Sequence, residues 1–220
     1  MRQDCLIETL KRGVSPFETV QAGKERLLEN GFTELNYGTQ WELVPGGRYV
    51  VNHHGTTLFA FTVGSNIKET LAAKRTGESS DMPLRMAAAH TDYPCLRIKP
   101  NADFKTDVYA QVNVEVYGGP ILNTWFDRPL GLAGRVMVKS GNVLAPRTIL
   151  YRSKKPLMIV PNLAIHMNRD VNKGVEINNQ IDLMPVVDLL LQEETTTDYF
   201  LTFLAEELSV FKEDILDFEL

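Results

Sequence analysis

The sequence predicts an α/β fold whose first part is a mixed sheet with flanking helices and whose second part is rich in β-strands. Two observations carry this. Helical periodicity is confined to the opening and closing segments, and apolar strand-like runs divided by Gly, Pro and Asn turns fill the rest. With 44% hydrophobic residues in 220, the chain has enough apolar material for one large domain or two small ones. The change of texture places the boundary between domains 1–92 and 93–220.

The opening "CLIETLKRGVSPFETVQAGKERLLENGF" reads as two helical pieces broken at Ser15 and Pro16. A serine there caps the second helix, and proline suits a first turn because its missing N–H has no helical partner. Phe17, Val20, Lys24, Leu27 and Leu28 recur at near-helical spacing, and Asn30-Gly31 supplies the stop. Further on, "RYVVNHHGTTLFAFTV" predicts a hairpin of β-branched and aromatic strands around a His-His-Gly turn. "GESSDMP" reads as a polar loop, and "LRMAAAH" as a third strand covered on both faces, because its apolar run is nearly continuous.

After residue 94, "LRIKP", "VYAQVNVEVYGG", "GLAGRVMVKSG", "RTILYR" and "LMIVP" predict strands. In the second of these, Val108, Ala110, Val112, Val114 and Val116 share one face, with Gln111, Asn113 and Glu115 opposite. From Asp188 onward "VVDLLLQEE" and "DYFLTFLAEELSV" predict closing helices. Ten acidic residues against one lysine in this stretch read as a solvated face. The ending "EDILDFEL" is apolar and strand-like or helix-exit in character, with no polar tail, as expected of an interrupted chain.

Composition excludes several classes. The balance of 23 Lys+Arg against 28 Asp+Glu, net −5, argues against a nucleic-acid binder, and "RSKKP" is too short a basic cluster to reverse that. Two cysteines are too few for a disulfide framework or a Cys-built zinc site, so a reducing, cytoplasmic setting is expected. The first residues mix acid and base as no signal peptide does, and no apolar stretch has the length to span a bilayer, so no membrane partner is expected.

The residues that point to chemistry are His90, Thr91 and Asp92, at the exit of the alanine run. Residues two apart on an extended segment share a side, so His90 and Asp92 can meet past a strand end, where ligand crevices open in α/β sheets. A carboxylate that accepts one imidazole N–H fixes the tautomer and raises the basicity of the other nitrogen, so His90 is a candidate metal ligand and Asp92 its orienter. His-x-Asp alone is a weak signal, and on that local pattern a satisfied structural histidine is the preferred reading.

The longer text goes further. "HTDYPCLRIKP", "VEVYGGPILNTWFDRPLGLAGRV" and "VPNLAIHMNRDVNKGVEIN", together with "SPFETVQAGKERLLENGFTEL" and "WELVPGGRYVV", resemble the aspartyl aminopeptidase family of di-zinc metallopeptidases, in order and along essentially the whole chain. The resemblance implies a partial zinc-peptidase catalytic domain of α/β type, followed by an inserted β-rich domain that builds dimers and larger homo-oligomers. It maps His90 onto a metal ligand and Asp92 onto the acidic residue that follows it. His166, in "NLAIHMNR", maps onto a histidine lent to a neighbouring subunit's active site, where it stabilises charge on the substrate carbonyl.

The reaction implied is removal of N-terminal Asp or Glu from peptides by a zinc-activated water. The complete family site holds two zinc ions. Its remaining ligands, an adjacent Glu-Glu pair with the catalytic base, and a final histidine belong downstream of Leu220. Glu193-Glu194 is not that pair, since it is expected on a helix and in the wrong order. The 220-residue chain is therefore expected to be an N-terminal portion, inactive alone and prone to self-association through its open sheet. The alternative is a catalytically dead oligomerisation or regulatory module that assembles with full-length relatives.

The chain departs from the family pattern at Pro120 and Pro129, which bear on loop shape, and at Tyr93, where serine is common and where tyrosine is expected to narrow the pocket mouth. Other residues have plainer readings. His53 and His54 read as exposed turn residues with diverging side chains, and Cys95 as a small buried hydrophobe. Trp125, Phe126, Asp127 and Arg128 read as aromatic packing with a polar pair that holds a loop. Asn162, Asn168, Arg169, Asp170 and Asn172 read as a turn-rich loop around His166 stiffened by Asx bonds.

Overall fold

A computed structural model describes residues 3–77, 84–190 and 198–220. It divides into two units, Met1–Tyr93 and Pro94–Leu220.

The first unit begins with helices α1 (Gln3–Arg12) and α2 (Pro16–Glu29). The Ser15 hydroxyl accepts the backbone N–H of Glu18 at 3.3 Å, so the predicted cap forms, and the Asn30 N–H bonds back to Leu27 as Gly31 turns out at φ 81°. Phe17 and Val20 are buried, and α2 packs against the strands that follow. Three strands, β1 (Thr33–Glu34), β2 (Arg48–His53) and β3 (Thr57–Thr62), form a sheet in the order β1-β2-β3, parallel then antiparallel. The three-residue β2–β3 turn, His54 to Thr56, has positive φ at both His54 and Gly55. A Cβ at Gly23 would lie 3.0 Å from Leu58, so the absence of a side chain lets α2 approach β3.

Two features of this unit differ from expectation. Helix α3 (Ile67–Thr76) follows β3 with no buried residue and stops at Gly77 in the left-handed region. It was hidden from pattern reading because it has no continuous apolar face. Residues 84–90, predicted as a covered strand, are irregular and exposed, with Leu84 73% and Met86 85% accessible. A strand is defined by its partners, and among the described residues none pairs with this run. The loop "GESSDMP" lies outside the described residues beyond Gly77.

The second unit is strand-dominated. Strands β4 (Cys95–Thr106), β5 (Tyr109–Tyr117), β6 (Pro129–Leu130), β9 (Met158–Ile159) and β10 (Val186–Leu189) form one sheet in the order β4-β5-β10-β9-β6. Strands β7 (Ala133–Val138), β8 (Arg147–Arg152) and β11 (Ile215–Glu219) form another, β11-β7-β8. Ala110, Val112 and Val114 are buried on one face of β5, as alternation predicts, whereas Val108 lies outside the strand and is exposed. The register of β4 against β5 shifts between Ile98 and Asp103, where Pro100 has no N–H to offer the ladder.

Residues 186–189 are strand, not the predicted helix. Val186 pairs with both Gln111 and Ile159, and filling a gap between two strands outweighs helical preference. Residues 191–197, including Glu193 and Glu194, lie outside the described residues. Helix α4 (Tyr199–Leu208) forms as predicted, and its Phe200 N–H is accepted at 2.8 Å by Asp103 of β4, which ties the helix to the sheet. The core joins Ile98, Val112, Val114, Val136, Val138, Tyr151, Phe200, Leu204 and Leu220. Glu219 bridges Arg97 of β4 at 3.1 Å and Arg135 of β7 at 3.2 Å. Burial, with the hydrogen bond from its hydroxyl to Glu207 at 2.9 Å, pushes the Tyr151 phenol well above the ordinary tyrosine value.

Candidate functional site

The pair singled out by spacing is formed. His90 Nδ1 lies 2.8 Å from Asp92 Oδ1. An ionised carboxylate can only accept, so in the neutral imidazole this contact places the proton on Nδ1 and leaves the Nε2 lone pair to act as a ligand or base. The imidazole is 89% exposed while Asp92 is 33% exposed, so the carboxylate holds the ring from its protein side. This is the geometry of a ligand histidine and its orienting partner.

The described residues do not complete a metal site around it. Among them, no three or more His, Cys, Asp or Glu side chains gather to hold an ion. Zinc takes four ligands in structural sites and three protein ligands in catalytic ones. His90 therefore fits one position of such a site.

The other candidates take separate places. His166 is exposed in a turn closed by the Met167 N–H on the Ala164 carbonyl at 2.8 Å. Asn162 both accepts from the Leu163 N–H and donates its own N–H to Asp127, and Asp170 pairs with Lys173 at the surface, so two of the five residues named for this loop make side-chain or capping bonds there. Beside it lies a cavity of about 750 Å³ lined by Leu122, Phe126, Leu163, Val175, Ile177 and Met184, with Glu176 and Asp182 among its polar groups. No motif announced this cavity, because its walls come from segments that are distant in sequence.

Asp127 and Arg128 hold their loop through different backbone partners, the Asn162 N–H at 2.9 Å and the Thr124 carbonyl at 3.2 Å. His54 is an exposed turn residue, but His53 is half-buried at the end of β2 against Tyr37, and the two imidazole centroids are 4.2 Å apart. The divergence expected of strand neighbours fails because His54 has already left the strand. Cys95 opens β4 and is half-buried.

The family model described as aminopeptidase I zinc metalloprotease, M18, matches residues 9–220. The chain belongs to the M18 peptidases. It is 43% identical over 216 residues to a probable M18 family aminopeptidase 2 of Clostridium acetobutylicum, covering 98% of this chain and 47% of that one. It is 35% identical over 234 residues to the aspartyl aminopeptidase of Caenorhabditis elegans, covering 97% and 47%. Among solved structures, a cryo-EM structure of the Ape4 and Nbr1 complex superposes with a TM-score of 0.78 at 31% identity, over 96% of this chain and 42% of that one. The chain thus spans about half the length of the curated relatives it matches. Among its described residues, no helix is long and apolar enough to cross a membrane.

Proposed function

We propose that this M18 chain contributes the first metal ligand, His90, and its orienting carboxylate, Asp92, to a zinc aminopeptidase that removes N-terminal Asp or Glu from peptides. The observation that carries the reading is the 2.8 Å His90–Asp92 bond on an imidazole that is otherwise largely exposed. The family supports zinc and peptide hydrolysis, and the nematode relative's name supports the acidic preference. In this reading unit 94–220 builds a homo-oligomer and presents His166, on its loop, to a neighbouring subunit. The chain alone is inactive, because one imidazole is not a di-zinc site.

A second reading has its own support. The lack of a multi-ligand cluster among the described residues suits an assembly module without activity. Hydrolysis of peptides beginning with Asp, Glu, Leu or Lys separates the two. The zinc-loaded chain is assayed alone and combined with the C-terminal half of the Clostridium acetobutylicum relative. Chelator-sensitive cleavage of acidic peptides in the mixture only, lost in His90→Gln, is the expected result. Co-assembly without cleavage, or cleavage indifferent to His90→Gln, overturns the enzymatic reading.

A further inference from the structure

We propose that Thr91 and Tyr93 are positioning residues that clamp the segment carrying His90 and Asp92. The proposal rests on the reading of His90 and Asp92 as a working pair. The Thr91 hydroxyl donates to the Thr56 carbonyl at 2.8 Å. The Tyr93 hydroxyl donates to the Gly13 carbonyl at 3.0 Å. Along the run from His90 to Tyr93, which bends at Thr91, the side chains of residues 91 and 93 reach backbone carbonyls of the same unit while those of residues 90 and 92 meet each other.

Both acceptors are themselves fixed. Thr56 closes the β2–β3 turn, where the Gly55 N–H bonds Asn52 Oδ1 at 2.9 Å and the left-handed pair His54-Gly55 sets the backbone. Gly13 follows α1 with its N–H on the Thr9 carbonyl at 2.9 Å, and Thr19 Oγ1 occupies the space a Cβ would need, 2.8 Å away. The clamp thus spans two rigid points of unit Met1–Tyr93, one on the hairpin and one at the α1–α2 junction. The preceding residues 84–90 pair with no strand among those described, so side-chain bonds do the holding that a ladder would otherwise do.

This gives Tyr93 a different role from narrowing a pocket mouth. A serine hydroxyl sits one bond beyond Cβ and does not span to Gly13, whereas the tyrosine hydroxyl lies at the far end of its ring. The tyrosine is a local solution of this chain to holding the His90–Asp92 pair in register. Neither residue touches the reacting groups.

The test is the tautomer of His90, read by long-range proton–nitrogen NMR of the histidine-labelled chain at an alkaline pH where imidazole is neutral. The chain has four histidines, and His90→Gln identifies the signal. The wild type is expected to favour the Nδ1–H form, and Asp92→Asn to lose that preference. Thr91→Val and Tyr93→Phe are expected to lower the Nδ1–H to Nε2–H ratio by roughly twofold to tenfold each, with amide spectra elsewhere unchanged, and Thr91→Ser to restore it. If Asp92→Asn shifts the ratio while Thr91→Val and Tyr93→Phe do not, the positioning role is overturned and the pair stands. If Asp92→Asn has no effect, it is the pair itself that fails.

Discussion

The two units differ in how they obtain their cohesion. Unit Pro94–Leu220 closes on itself, with two sheets, helix α4 and a continuous core that runs from Ile98 to Leu220. Unit Met1–Tyr93 buries a smaller apolar set, Phe17, Val20, Ala22, Tyr49, Val50 and Val51, mostly between α2 and β2, while α3 buries nothing and residues 84–90 lie open. The candidate ligand sits on the looser unit, held by side-chain clasps, and the exposed His166 sits on the tighter one. The lesson is that the chemistry-bearing segment is the part of this chain least supported by its own strands.

The largest effect that sharpens this contrast is Gly134→Ala. A Cβ there would stand 1.9 Å from the Glu219 carbonyl oxygen, against backbone that cannot swing away, so β7 and β11 must separate. Loss of the second unit's cooperative unfolding, seen by calorimetry, is expected, with Leu220 driven from its core. Next comes a pair of cavity mutants. Leu204→Ala is expected to cost about 2–5 kcal/mol and to lower the transition of the second unit, whereas Val50→Ala lowers only an earlier transition of the first. A single transition shifted equally by both would break the comparison.

Smaller still is Ser15→Ala, which removes the cap of α2 and is expected to cost about 1 kcal/mol in the first transition alone. The finest test uses pH. The folded Tyr151 phenol titrates above its unfolded value of about 10, so its stabilisation is complete below that value and is lost as pH rises beyond it. Denaturant melts from pH 8 to 11 should show the second unit weakening more steeply in wild type than in Tyr151→Phe. Equal slopes would remove Tyr151 from the account of that core.

Much of this was readable from residues. Helix α2 announced itself through Ser15-Pro16 and Asn30-Gly31, and β5 through strict alternation, because both signals are local. Residues 186–189 misled because only their neighbours β5 and β9 make them a strand, and "LRMAAAH" misled because an apolar run says nothing about whether partners are present. At the site, the two-residue spacing allowed His90 and Asp92 to meet, but it took the longer resembling text to raise His90 above a structural histidine. Thr91 and Tyr93 were not legible as clasps, since their acceptors lie 35 and 80 residues away.

The most direct test of the central claim, a preset ligand without a complete site among the described residues, is zinc per chain after loading the purified 220-residue protein and desalting. The account predicts near-zero retained zinc, with only weak, reversible binding that His90→Gln removes. One or two tightly held zinc ions per chain would contradict it, and would mean that ligands outside those gathered around His90 complete the site in this chain as it stands.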